Sequence, residues 1–168
     1  MTYEETVAYL AGLEVSAGWD LKLERMRAAL ARRGHPEARW PALHVAGTNG
    51  KGSTAAMLDA VLTAAGYRSG LYTSPHLVDF TERIRVGGRT IPRAAVVSLV
   101  AELRADLEAA GIALTHFELA TLIAFEWFAR LGIDVGVIEV GLGGRLDATN
   151  LVEPAVTAIT SIALDHEA

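Results

Sequence analysis

The chain is predicted to be an α/β domain: a mostly parallel sheet flanked by helices, built around a phosphate-binding loop. Three observations lead there. Apolar runs of strand length alternate with stretches of helical spacing along most of the 168 residues, the pattern of strands joined by crossover helices. One strand–helix junction reads Gly47-Thr48-Asn49-Gly50-Lys51-Gly52-Ser53-Thr54, a glycine-rich turn carrying a lysine. Several apolar runs end in polar or glycine-rich segments, as strands do at the ligand-binding edge of an open sheet.

Taken in order, residues 3–13 and 20–33 read as helices ending near Gly12 and Gly34. In the second, Leu21, Met26, Ala29 and Leu30 can face a core while Lys22, Arg25, Arg32 and Arg33 stay in water. Ala42 to Ala46 is a short buried strand. The helix over 53–65 is expected to bury Met57, Val61 and Leu62 on one side and to stop at Gly66. Residues 67–73 form a second strand leading into Ser74-Pro75-His76, and 83–91 a hairpin turning at Gly87-Gly88. Pro92 opens a helix through Ala110 with Val96, Leu99, Val100, Leu103 and Leu107 as its stripe. A helix over 116–131 and strands over 134–140 and 155–162 complete the series. Ile159 to Leu164 reads as a sheet-core strand, yet the sequence stops four residues later. Such strands normally lead to another crossover. The expectation is therefore the N-terminal piece of a longer protein, truncated within the domain that spans 1–168. The parent is expected to be a monomer. The piece itself should self-associate through an unpaired edge and an uncovered apolar face.

Composition narrows the function. Half the residues are apolar and the net charge is −5 without a basic stripe, which argues against non-specific nucleic-acid binding. There is no cysteine, hence no disulfide, thiolate chemistry or cysteine zinc site. The acidic start Met1-Thr2-Tyr3-Glu4-Glu5 lacks the plan of a signal peptide. No uncharged run approaches the ~18–20 residues that span a bilayer, so no membrane partner is expected and the default location is the cytoplasm.

The loop Asn49-Gly50-Lys51-Gly52-Ser53 offers backbone N–H groups, a helix N-terminus and an ammonium to a polyphosphate. It departs from the strict P-loop pattern, with Val45 where glycine and Gly52 where serine or threonine would stand. The hydroxyl is displaced to Ser53. The plain alternative is a turn with a solvated lysine, but a lysine at a helix N-terminus is unfavourable without an anion nearby. ATP or a related nucleotide is the expected ligand. Glu139 ends the apolar strand Val135-Gly136-Val137-Ile138 and is placed to hold Mg²⁺, an oxygen-seeking ion; an ordinary acidic strand end explains it equally well. Ser74 could ligate the same ion or cap a turn with Pro75. His166, beside Asp165 after the last strand, could be a ligand or merely solvated. The glycine-rich loop 141–150 could line a ligand or simply connect. His116, Phe117 and Glu118 start a helix whose dipole Glu118 complements; His44 and His76 read as structural. Together Lys51, Ser53, Ser74, Glu139 and His166 fall at one sheet edge.

Five motifs, HVAGTNGKGST, YTSPHL, ERIRVGG, IEVGLGGRLDATN and SIALDH, occur in this order, with DLKLERM upstream. This series resembles the folylpolyglutamate synthase/dihydrofolate synthase family of the Mur ligase superfamily over nearly the whole chain. The resemblance implies the central ATP-binding domain of an ATP-dependent amide ligase. Members phosphorylate a substrate carboxylate and let the amino group of L-glutamate attack the acyl phosphate, on dihydropteroate or on a folate. By similarity, Asn49, Gly50, Lys51 and Gly52, with Ser53, cradle the phosphates. Ser74 and Glu139 hold one Mg²⁺, and Glu139 with His166 a second, so that Lys51, Glu139 and His166 are the expected catalytic groups. Leu21, Lys22 and Leu23, then Thr115, His116, Phe117 and Glu118, then Leu146, Asp147 and Ala148 correspond to the pterin side. The family's usual SIGLDH reads SIALDH here, with the histidine in register. The family's later carbamylated lysine and C-terminal glutamate-binding domain are absent from this sequence, so the chain alone is expected to be inactive. Two alternatives stay open: a cell-wall Mur-type ligase, against which Gly52 after Lys51 and YTSPHL argue, and a truncated nucleotide-binding fragment without catalysis.

Overall fold

The computed structural model describes residues 1–16 and 23–163, with side chains for 1–13 and 23–163. Expectations for Leu21, Lys22 and His166 lie outside those residues. The helices are α1 (Tyr3–Ser16), α2 (Glu24–Arg32), α3 (Lys51–Ala64), α4 (Arg93–Ala109) and α5 (His116–Leu131). The strands are β1 (Ala42–Ala46), β2 (Ser69–Tyr72), β3 (Ile84–Val86), β4 (Arg89–Thr90), β5 (Val135–Glu139) and β6 (Pro154–Ile159). They form one sheet of order β4-β3-β2-β5-β1-β6. β2, β5, β1 and β6 run parallel, and the β3–β4 hairpin is antiparallel at one edge. The α/β expectation holds.

Two layers cover the sheet. On one face α3 sets Ala55, Leu58 and Leu62 over Val45, Leu71, Val137 and Ala158. The opposite face carries the main core. There α5 is buried through most of its length, and α1, α2 and α4 pack around it. Trp40 anchors this core, edge-on to Phe125 and Phe128 at 5.5 and 5.6 Å. The α4 stripe is the expected one, Val96, Leu99, Val100, Leu103 and Leu107. Thr115 and Glu118 close a capping box on α5, and Gly132 ends that helix in the left-handed region.

The structure corrects several sequence expectations. α1 continues through Gly12 to Ser16, since one glycine in a helix costs only about 1 kcal/mol. α3 starts at Lys51 rather than 53. Its buried positions are Ala55 and Asp59, whereas Met57 and Val61 are 62% and 67% exposed. The loop fixes the angle at which α3 enters, so the 55–58–59–62 face meets the sheet. The last strand stops at Ile159. Among the described residues it pairs with β1 alone, which leaves the unpaired edge the sequence predicts. Among the described residues no helix is long and apolar enough to cross a membrane.

β1 is flanked by β5 on one side and β6 on the other, while the chain leaves β1 through α3 for β2. The carboxyl ends of β1, β5 and β2 therefore open on one edge beneath the segments 47–50, 140–147 and 73–78. A crevice at such an edge is where ligands bind in open α/β sheets.

Candidate active site

The loop after β1 is set by glycines that other residues could not replace. Gly47 has φ +131° and packs so tightly on Thr160 that a Cβ would overlap the Thr160 side chain. Gly50, at φ +84°, is the N-cap residue of α3. The segment after β6 buttresses the loop from one side. Thr160 N donates to Ala46 O (2.9 Å) and Thr48 N to Ser161 O (2.9 Å). Thr48 Oγ1 donates to Ala163 O (3.1 Å). Residues 160–163 thus lie against the phosphate loop.

Lys51, the first residue of α3, curls back over the loop. Its Nζ donates to Gly47 O (2.9 Å) and Thr48 O (3.1 Å). An ammonium has three donors, so this arrangement keeps the charge at the loop mouth with capacity to spare. Asn49, Gly50 and Ser53 are exposed around it. Beneath the loop lies Glu139, 5% exposed at the end of β5. Its Oε2 accepts from Ser74 N (3.0 Å), and the Cα of Gly52 faces its carboxylate closely. Burial raises the Glu139 pKa above the usual carboxylate value, against the lowering effects of the Ser74 N–H and the Lys51 charge. The structure therefore brings Lys51, Gly52, Ser74 and Glu139 together.

A buried carboxylate with so few donors, beside a serine, suits a hard cation, because both groups are oxygen donors and a cation would offset the burial. Among the described residues no group of three or more His, Asp or Glu converges, so a fuller ligand set needs groups beyond them. Ser74 precedes a cis peptide bond to Pro75. Glu82 holds the next turn by accepting from the backbone N–H of Leu77, Val78 and Asp79 at 2.8–3.1 Å.

The loop after β5 is organised by Asp147. Its Oδ2 accepts from Leu142 N (2.8 Å); its Oδ1 accepts from Thr149 N (2.9 Å) and Thr149 Oγ1 (2.5 Å). Since the Thr149 hydroxyl donates to Asp147, it accepts from His44 Nε2, 2.9 Å away. Burial lowers the His44 pKa, partly opposed by Asp147, so the ring is the neutral Nε2–H tautomer. His44 is structural, as the sequence suggests, and it ties the strand feeding the phosphate loop to the glycine-rich loop. Ala148 is buried and Leu146 exposed.

The start of α5 borders this loop. Phe117 lies half-buried against Tyr72, with ring centroids 6.2 Å apart. Glu118 accepts from Thr115 N (2.8 Å) and Arg25 Nε (3.1 Å). His116 Nδ1 donates to Leu10 O (3.0 Å), and its Nε2 is buried without a hydrogen-bond partner. Leu23 lies at the entry to α2. Sequence reasoning missed Tyr72, buried against Phe117, and Arg83, buried with its Nε on His76 and its carbonyl accepting from Thr73 N. Arg83 stands in the motif ERIRVGG, but nothing in a sequence separates a buried arginine from a solvated one.

No protein-family model matches the chain. Individual relatives do. The dihydrofolate synthase/folylpolyglutamate synthase of Escherichia coli K12 is 48% identical over 160 residues, covering 95% of this chain and 37% of that protein. A solved FPGS–AMPPCP–folate complex superposes with TM-score 0.93 and 42% identity, over 99% of this chain and 42% of the other. E. coli FolC in complex with DHPP and ADP superposes with TM-score 0.87 and 47% identity, over 96% and 39%. The chain spans about a fifth to two fifths of the length of the curated relatives it matches.

Proposed function

This chain belongs to the folylpolyglutamate synthase/dihydrofolate synthase family, and from that premise we propose that it forms the ATP- and acyl-substrate-holding part of an ATP-dependent glutamate ligase. The substrate acid is dihydropteroate or a folate, and the second substrate is L-glutamate. The observation that carries the reading is the meeting of Lys51, Gly52, Ser74 and Glu139 at the end of β5, next to the loop held by Asp147.

A carboxylate is a poor electrophile and is repelled by a triphosphate, so the site must gather positive charge and fix an in-line approach. Lys51 and the N–H groups of Asn49, Gly50 and Gly52 supply that charge to the phosphates, with Ser53 at the same helix start. Glu139 and Ser74 would hold Mg²⁺, and His166 a second ion shared with Glu139. When bound, the metal neutralises charge developing on the transferred phosphoryl group. Lys51, Glu139 and His166 are then the groups closest to the chemistry. On the acyl side, Phe117 offers an aromatic face, while Leu146, Asp147, Ala148, Thr115, His116, Glu118 and the segment Leu21-Lys22-Leu23 complete the surround. Asp147, Thr115 and Glu118 act mainly by shaping that surround, since their polar atoms already hold the loop and the α5 cap. The cytoplasm, where ATP and folates occur, is the location this reading requires.

The test is titration of dihydropteroate into the chain with AMPPCP and Mg²⁺ present. Saturable binding, weakened about tenfold by Phe117→Ala through loss of aromatic contact, is expected. Absence of saturable binding to the wild-type chain overturns the acyl-substrate assignment.

A further inference from the structure

Arg83 is the one arginine in the buried set of the described residues, 7% exposed. Arg25, Arg32, Arg33, Arg93, Arg104 and Arg130 each meet a carboxylate. Among the described residues Arg83 meets none. Its Nε donates to His76 Nδ1 (2.8 Å), and its guanidinium carbon lies 5.8 Å from the Phe80 ring centroid. The acids nearby are committed elsewhere. Glu82 accepts from the backbone of Leu77, Val78 and Asp79. Asp79 accepts from Tyr3, Thr81 and Arg93, and Asp147 from Leu142 and Thr149. Burying a guanidinium among neutral partners is unfavourable unless an anion completes its hydrogen bonds.

Its place in the fold says which anion. Thr73 N donates to Arg83 O (3.0 Å), so the residue sits beside Ser74 at the ligand edge. Its guanidinium and the Asp147 carboxylate both act on the Tyr72 hydroxyl, and the Tyr72 ring packs on Phe117. Arg83 therefore borders Ser74 through its backbone and Tyr72, the ring partner of Phe117, through its guanidinium. A planar fork of N–H donors matches a carboxylate bidentately. The triphosphate has its own cradle around Lys51, on the α3 side. From this placement we propose that Arg83, oriented by His76, receives the carboxylate of the aryl acid substrate and holds it toward the Ser74–Glu139 end. The inference rests on the acyl-substrate reading above and names the group that binds the end of that substrate which reacts.

The experiment uses the whole chain and follows the His76 ring and Arg83 Nε signals by ¹⁵N NMR during titration with benzoate. Saturable shifts are expected in the wild type and none in Arg83→Gln. Arg83→Lys, which keeps the charge without the fork, should restore them with affinity at least tenfold weaker than wild type. Unmoved wild-type signals, or equal shifts in Arg83→Gln, overturn the proposal. So does a response to inorganic phosphate but not to benzoate, which would assign the guanidinium to the nucleotide. Dihydropteroate and its carboxamide separate the two readings. Equal binding of acid and amide refutes the Arg83 contact and leaves the acyl-substrate reading intact. Benzoate shifts that depend on Arg83, with no binding of dihydropteroate, keep the aryl-carboxylate contact and remove the folate assignment.

Discussion

Replacing Thr149 by valine tests whether the loop after β5 is tied to β1 as described. The Thr149 hydroxyl is fully buried and serves both neighbours, donating to Asp147 Oδ1 at 2.5 Å and accepting from His44 Nε2 at 2.9 Å. Valine matches the shape and removes both bonds. A hydrogen bond to a charged acceptor contributes about 1.5–3 kcal/mol, and a buried N–H left without an acceptor costs about 1–3 kcal/mol. Burying a methyl in place of the hydroxyl returns at most about 0.8 kcal/mol. With partial relaxation the net loss is about 2–4 kcal/mol. In a domain of this size that corresponds to a melting point lower by about 4–15 °C. Urea unfolding followed by circular dichroism measures it, with Thr149→Ser, which keeps the hydroxyl, as the control. Asp147 also releases part of its hold on Leu142 N, so dihydropteroate binding should weaken along with stability. A Thr149→Val chain within about 0.5 kcal/mol of wild type, smaller than any single lost bond would give, would refute the buried His44–Thr149–Asp147 chain.

Three further outcomes are expected. Gly136→Ala places a Cβ 2.5 and 2.7 Å from Cζ3 and Cε3 of Trp40, a ring already fixed by Phe125 and Phe128; urea midpoints should fall by the equivalent of about 1–3 kcal/mol, and an unchanged midpoint would contradict the packing. The Glu139 pKa is raised by burial, so its contribution is fully present below the unfolded value of 4.5 and is lost as pH rises through the higher folded value. Glu139→Gln should accordingly melt above wild type at pH 7.5, with the difference closing toward pH 4, while losing Mg·ATP binding; a pH-independent difference would count against the burial. On β6, Val156 and Ile159 are 59% and 64% exposed on a strand edge that is unpaired among the described residues, so sedimentation should find concentration-dependent self-association that Val156→Lys and Ile159→Lys reduce; a wild-type monomer at all concentrations would show the edge to be protected.

Periodicity and turn chemistry revealed much of this molecule because they are local. The α4 stripe, the start of α5 at His116 and the strand–loop–helix around Gly47–Thr54 are each written within a few turns of chain, and they fold close to where they were read. What failed was decided by distant neighbours. Met57 and Val61 have helical spacing with Leu62, but the phosphate loop sets the rotation of α3 and turns Leu58 and Leu62 to the sheet instead. Ile159 to Leu164 is apolar enough to read as strand, yet β6 ends at Ile159, where Thr160 and Ser161 turn to hydrogen-bond the phosphate loop. In the candidate site, Lys51 and Glu139 were legible because one starts a helix and the other ends a strand, and Ser74 because it follows a strand closely. Arg83 was not, since its character comes from the absence of a carboxylate around it, and that is a property of the assembled fold.

The claim that Lys51 and its loop bind the phosphates of ATP is tested most directly by calorimetric titration of Mg·ATP into the wild-type chain and into Lys51→Ala. Loss of one charged contact worth about 1.5–3 kcal/mol should weaken binding about ten- to a hundredfold in the variant. Equal affinity in the two chains, or no binding by the wild type, would contradict it.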